Sequence, residues 1–428
     1  MKLDFGQILS EADTRPDSLP LAAALRLLHS PRGLQLARWI VPHDPRLPAR
    51  FRPSAQFTLE LIRRVYAEHA ERVVWASVFV PCELFWGLGL TPFYPEVAAA
   101  AGSAIGLSPR AIASAAEAGT PVDLCTYHRA AFGLTREGFY PEASAFVSTS
   151  HLCTLAGIML AAEAHRRAKP FRLIDVPPTF DSDSLDYVEA QLQALVLDLE
   201  AATGAKYDPD RMREALRLSN EARSFALELN ALRVHKPAPL RGGPMLAVLG
   251  LGLWILGHRD GVAHFRAWRD YTAERVERRD PEQSNQKIRL FWLHLRPYGE
   301  SGLIEHLEND LGAVIAFEEH NTLWWDELDE ARPLRGLAAK IIGHPSNGSI
   351  ERRIAMTLDG VKRYGCDGVV HFSHWGCRQA AGATRVIRDR LRREGIPMLE
   401  LDGDCIDPAN VQSGPLRTRI EAFVETLV

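Results

Sequence analysis

The sequence contains no C-x-x-C pair, no P-loop, no G-x-G-x-x-G fingerprint between a strand and a helix, and no G-x-S-x-G elbow. These absences exclude the paired-cysteine zinc modules, nucleotide binding by the familiar glycine loops, and the serine-hydrolase elbow. Positive charge is not in excess. Lys and Arg number 50 against 54 Asp and Glu, a net of −4, which provides no field for gripping a nucleic-acid backbone. The longest apolar stretch, Met245 to Gly257, is too short for a bilayer and is interrupted by Gly250 and Gly252. The opening MKLDFGQILSEADTRP lacks a basic patch followed by an apolar run, so no signal peptide is expected and the cytoplasm is the predicted compartment. Low-complexity segments and residue-level repeats are also missing. At 46% hydrophobic and 24% charged, the chain reads as an ordinary globular protein, long enough at 428 residues for two or three domains.

The periodicity changes along the chain. Residues 1–70 read as a helical region, with Leu21–Ile40 apolar-periodic, a proline-rich break, and a helix from Ala55 to Ala70. From 71 to 181, strands are predicted at Val73–Val80, Val122–Leu124, Ala145–Ser148 and Phe171–Val176, with helices between them. Residues 182–285 show only helical spacing and read as a connector. From 286 to 428, strands are predicted at Ile288–Leu295, Val314–Phe317, Gly368–Phe372 and Met398–Leu401, again alternating with helices. The alternation predicts an α/β protein with two doubly wound parallel sheets of the Rossmann or flavodoxin type.

There are six cysteines, and five of them lie at or just past the end of a strand-like run: Cys82, Cys125, Cys153, Cys377 and Cys405. In a parallel sheet those ends share one edge, outside which ligands bind. Disulfides are rare in a reducing compartment, so the thiols read as ligands of a soft metal centre of iron–sulfur type. Cys125, Cys153 and Cys377 share a strand–thiol–helix pattern, and a helix N-terminus stabilises a thiolate. The intervals Cys125–Cys153 and Cys377–Cys405 are both 28 positions, one βα step, which returns the second thiol to the edge of the first. Cys82 and Cys405 are close neighbours or further ligands. Cys366 precedes the strand that Cys377 follows. Eleven extended residues span about 35 Å, which puts Cys366 at the opposite edge with a core role. Among the acid–base candidates are Glu83 in PCEL and the imidazoles of His128, His151, His371 and His374 near the thiols. Trp324 and Trp325 read as packing.

The segments PCELFWGLGLTPFYPE (81–96), DLCTYHRAAFG (123–133), VSTSHLC (147–153), DGVVHFSHWGCRQAAGA (367–383) and GIPMLELDGDCID (395–407) resemble the 2-hydroxyacyl-CoA dehydratase and benzoyl-CoA reductase family. The resemblance implies a [4Fe–4S] cluster on Cys125, Cys153 and Cys377, and electrons from a separate ATP-dependent [4Fe–4S] activator with an actin-like fold. It further implies a homo- or heterodimer with a related subunit, and a CoA thioester substrate. The implied reaction is anaerobic radical dehydration of a 2-hydroxyacyl-CoA, through a ketyl radical anion, or reduction of an acyl-CoA. From their places near the thiols in sequence, the catalytic candidates are Glu83, His128 and His374, and any of the imidazoles can donate a proton or a hydrogen bond to sulfur. The additional cysteines also resemble a branch with double-cubane [8Fe–9S] clusters that reduces small molecules. A non-catalytic relay or scaffold subunit is the remaining alternative.

Overall fold

The structure, a computed structural model, describes residues 30–428 apart from positions 41, 42, 46, 69, 300 and 301. The predicted helix Leu21–Ile40 falls partly outside these residues, as does the signal-peptide expectation. Its described part, Pro31–Ile40, is helical.

Two four-stranded parallel sheets organise the chain. The first contains β1 (Val73–Ala76), β2 (Thr91–Phe93), β3 (Ala145–Thr149) and β4 (Phe171–Ile174) in the order β2-β1-β3-β4. The second contains β5 (Ile288–Leu293), β6 (Ala313–Glu318), β7 (Gly368–His374) and β8 (Met398–Gly403) in the order β6-β5-β7-β8. The two orders are the same, so the expected α/β architecture of two doubly wound sheets is what forms. The central strands are buried at every residue, as parallel strands covered on both faces require. The edge strands β4 and β8 are partly open.

One local expectation is not met. Val122–Leu124 forms a turn after Pro121, with Val122 80% exposed and no strand beside it to pair with. A strand that does form is β2, which contains Pro92. Proline is tolerated there because β2 is an edge strand, where a missing N–H breaks no ladder. The structure also adds a helix, Pro333–Ile342, which starts on a proline at its first turn.

The helical stretch 182–285 does more than connect. Helix Ser182–Thr203 lies against β3 and β4, helix Gly242–Ile255 lies on β6, and helix Pro209–Leu232 packs on Cys82–Gly87 and Arg259–Arg278. Each sheet thereby has a face covered by helices from this segment. Among the described residues no helix is long and apolar enough to cross a membrane.

Candidate metal centre

In each sheet the connections leave in opposite directions from adjacent strands, β1 and β3 in the first and β5 and β7 in the second. Such switch points open a crevice at the carboxyl ends of the strands. β3 runs out at Thr149 and reaches Cys153, while β7 runs out at His374 and reaches Cys377. The two thiols therefore occupy equivalent places in the two sheets. A cavity of about 930 Å³ lies there, with Cys82, Cys125, Cys153 and Cys377 all on its wall. That volume is in the range of ligand pockets.

Cys125, Cys153 and Cys377 are each the N-cap of a helix: Thr126–Arg136, Thr154–Arg166 and Arg378–Arg393. Burial pushes all three thiols up. First-turn backbone N–H groups pull them back: those of Tyr127 and His128, of Leu155 and Ala156, and of Gln379 and Ala380. None of these closes a capping hydrogen bond. Ionised Cys377 disfavours ionisation of both Cys125 and Cys153, and Cys153 acts likewise on Cys125, so the three sulfurs lie within electrostatic reach of one another. The Arg353 guanidinium favours the Cys377 thiolate. All six cysteines are free.

The backbone brings these loops together at some conformational cost. Leu152, just before Cys153, has φ 65°, and Gly376, just before Cys377, has φ 73°. A left-handed leucine is uncommon and costs energy that surrounding structure must hold, a pattern found at functional sites. At Gly376 the backbone also approaches another loop. A Cβ there would stand 2.9 Å from both Cα and N of Cys125. Only glycine lets the two cysteine loops touch.

Each of the three sulfurs faces a buried imidazole. His374 Nε2 is 3.3 Å from Cys125 Sγ, His128 Nε2 is 3.4 Å from Cys153 Sγ, and His294 Nε2 is 3.8 Å from Cys377 Sγ. Burial lowers His128 and His374 to about 4, so both are neutral near pH 7. Sequence reasoning named His128 and His374 but missed His294, which follows β5 in a left-handed conformation (φ 67°). His151 lines the cavity with Nδ1 unpartnered, whereas His371 points within the second sheet toward Thr384.

The other cysteines separate. Cys405 is fully buried behind the cavity wall, within electrostatic reach of Cys125 and Cys377. The Cys82 thiol donates to the Leu256 carbonyl at 3.1 Å. The first residue of helix Cys82–Gly87 thus lies on the wall that the trio lines and commits its thiol to the 182–285 segment, which argues against a ligand role. Cys366 packs against the core of the second sheet beside Phe291 and Val369.

Glu83 is also corrected. Its carboxylate is fully buried, and accepts from Lys340 Nζ at 2.6 Å and from Ser219 Oγ at 2.7 Å. Burial alone would raise its pKa, but Lys340 more than offsets this and holds the carboxyl below its ordinary value. A carboxylate committed in this way ties three helices together and is not free to exchange protons with a substrate. Glu83→Ala strands Lys340 in the interior and is expected to cost about 3–5 kcal/mol. A urea midpoint equal to that of the wild type would contradict this role.

The carboxyl that can exchange protons is Glu96, which motif reading passed over. It lines the cavity, its Oε2 has no partner, and burial raises it to about 7. In YPE it follows Pro95 at the start of helix Pro95–Ala104, an ordinary place for a glutamate. Nothing in the sequence marks it as buried.

The family described as 2-hydroxyglutaryl-CoA dehydratase, D-component, matches residues 77–427. The chain belongs to that family. It is 26% identical to the (R)-phenyllactyl-CoA dehydratase alpha subunit of Clostridium sporogenes, over 84% of this chain and 91% of that one. It is 23% identical to the (R)-2-hydroxyisocaproyl-CoA dehydratase alpha subunit of Clostridioides difficile, with the same two coverages. Against one of the subunits of the benzoyl-CoA reductase of Thauera aromatica it is 24% identical, over 84% of this chain and 89% of that one. These relatives are components of dehydratases and a reductase acting on CoA thioesters, and each is named as one subunit. The matched span, 77–427, takes in every strand of the two sheets except β1, and every cysteine of the site.

Proposed function

We propose that this chain is the iron–sulfur component of a 2-hydroxyacyl-CoA dehydratase or acyl-CoA reductase. In this reading it holds a [4Fe–4S] cluster on Cys125, Cys153 and Cys377 and takes low-potential electrons from an ATP-dependent activator. The observation that carries the reading is the convergence of three N-cap thiols, from loops of both sheets, on one cavity. The donor set suits the group: soft thiolates hold iron–sulfur clusters. Among the described residues no three His, Cys, Asp or Glu side chains close around a point the size of one ion.

Bound there, the cluster would supply single electrons to the substrate. The protein's own part is positioning and proton transfer. Val78, Phe79 and Val97 give the cavity an apolar wall against which an acyl chain can pack. Glu96, at about 7, is poised to give a proton and take it back. The partner subunit and the CoA thioester are read from the relatives, all of them subunits of CoA-thioester enzymes. One cubane is favoured over two, because the Cys82 thiol is engaged by the Leu256 carbonyl and Cys366 packs in the second sheet's core, which leaves Cys405 as the cysteine within electrostatic reach of the trio.

Anaerobically purified protein is expected to contain about four irons per chain with matching sulfide. About eight would favour the double-cubane reading, and one zinc without sulfide would sink both. Cys377→Ala is expected to lose iron and activity together. A variant with full iron and full turnover would remove Cys377 from the ligand set.

A further inference from the structure

His374 stands apart from the other two imidazoles because its proton can be assigned. The backbone N–H of Cys405 donates to its Nδ1 at 3.0 Å. A nitrogen that accepts there carries no hydrogen, so in the neutral ring the hydrogen sits on Nε2. Nε2 is the atom 3.3 Å from Cys125 Sγ.

The surroundings hold this arrangement. His374 is 1% exposed, and the Tyr127 ring meets it edge-on at 5.3 Å. Asp404 Oδ1 lies 3.7 Å from Nδ1, too far for a hydrogen bond, and competes weakly for a proton there. That carboxylate is already occupied. It accepts from Thr126 Oγ1 at 2.5 Å, from the Ile406 and Asp407 N–H groups at 2.8 and 3.0 Å, and from Asn410 Nδ2 at 3.2 Å. Asp404 therefore shapes the 404–407 turn, and that turn presents the Cys405 N–H to the ring.

We propose that His374 is a positioning residue which donates a fixed N–H···S hydrogen bond to Cys125 and so raises the reduction potential of the cluster. The proposal rests on the cluster reading given above. Reduction adds negative charge that spreads onto the thiolates, and a hydrogen bond to sulfur stabilises the reduced form more than the oxidised one. The ring's only N–H is committed to sulfur, so His374 does not serve as the acid expected from the sequence. Cys405 contributes through its backbone, which accounts for its place beside the trio without making it a ligand. His294 differs, since its Nδ1 has no partner and nothing selects its tautomer.

The test is an EPR-monitored redox titration, with iron counts, of anaerobically purified wild type, His374→Leu and His374→Gln. His374→Leu is expected to keep its iron and to move to lower midpoint potential. His374→Gln, whose amide reaches the region of Nε2, is expected to return toward the wild-type value. An unchanged potential in an iron-replete His374→Leu protein overturns the proposal and leaves the cluster reading standing. A His374→Gln protein shifted as far as the leucine variant also overturns it. Should leucine cost the iron, ring ¹⁵N shifts of selectively labelled wild type decide. A neutral ring protonated at Nε2 supports the donor role, and one protonated at Nδ1 overturns it. Absence of iron and sulfide from the wild type overturns the cluster reading and this inference with it.

Discussion

Gly376→Ala is expected to strip most of the iron from the purified protein, while Gly395→Ala leaves it in place. Both glycines are left-handed, with φ 73° and 72°. Holding an alanine in that conformation costs about 1–2 kcal/mol at either position. Their surroundings differ. At Gly395 nothing lies within 4 Å of the added carbon, whereas at Gly376 it meets the Cys125 backbone at 2.9 Å. Backbone cannot swing aside as a long side chain can, so the Cys377 turn must back away from Cys125. A displacement of even an ångström at a ligand loop loosens the site, and disturbance of supporting groups alone costs about 10–100-fold in metal affinity. Iron analysis and thermal melts of the two variants check this. Equal iron in both would mean that the contact between the loops does not shape the metal centre.

The second large effect is expected at Glu96. Glu96→Gln keeps the shape and removes the exchangeable proton, and should lower kcat for the proposed reaction by about 10²–10⁴-fold. The limb of the pH–rate profile near 7 should go with it. Stability supplies an independent readout, and its sign follows from the raised pKa. In the folded state burial favours the protonated acid, to about 7, against an ordinary 4.5. Below pH 4.5 the wild type therefore carries no ionisation penalty. It loses stability as pH rises from 4.5 through about 7, and the full cost, about 3 kcal/mol, persists above that. Glutamine does not titrate, so the variant's advantage should be absent at pH 4 and open up by pH 8. Parallel stability curves for the two proteins across that range would show that Glu96 is not held protonated.

The readings that survived from sequence to structure are local ones. Cys153 and Cys377 were legible because a buried strand, a thiol and an amphipathic helix follow one another within a few residues. That pattern has few ways to fold other than with the thiol at the helix N-terminus. Cys125 was legible for its helix alone, since the strand expected before it is an exposed turn. Readings that depended on which way a side chain turns fared differently. Cys82 begins a helix as expected, yet its sulfur meets Leu256, 174 positions away. Glu83 looks free in PCEL and is bound by Lys340, 257 positions away on a helix that the periodicity does not reveal. Glu96 looks like a helix-start acid, and its proton affinity comes from burial in the cavity wall.

The sequence by itself determined the class of the protein: apolar runs of strand length alternating with helices require parallel sheets, and thiols placed after those strands require a shared edge. Tertiary structure alone decided where the Cys82 thiol is engaged, which carboxyl keeps its proton and which imidazole has its hydrogen assigned. Those outcomes depend on distances of a few ångströms between segments far apart in the chain, and on burial, which no short stretch of residues encodes.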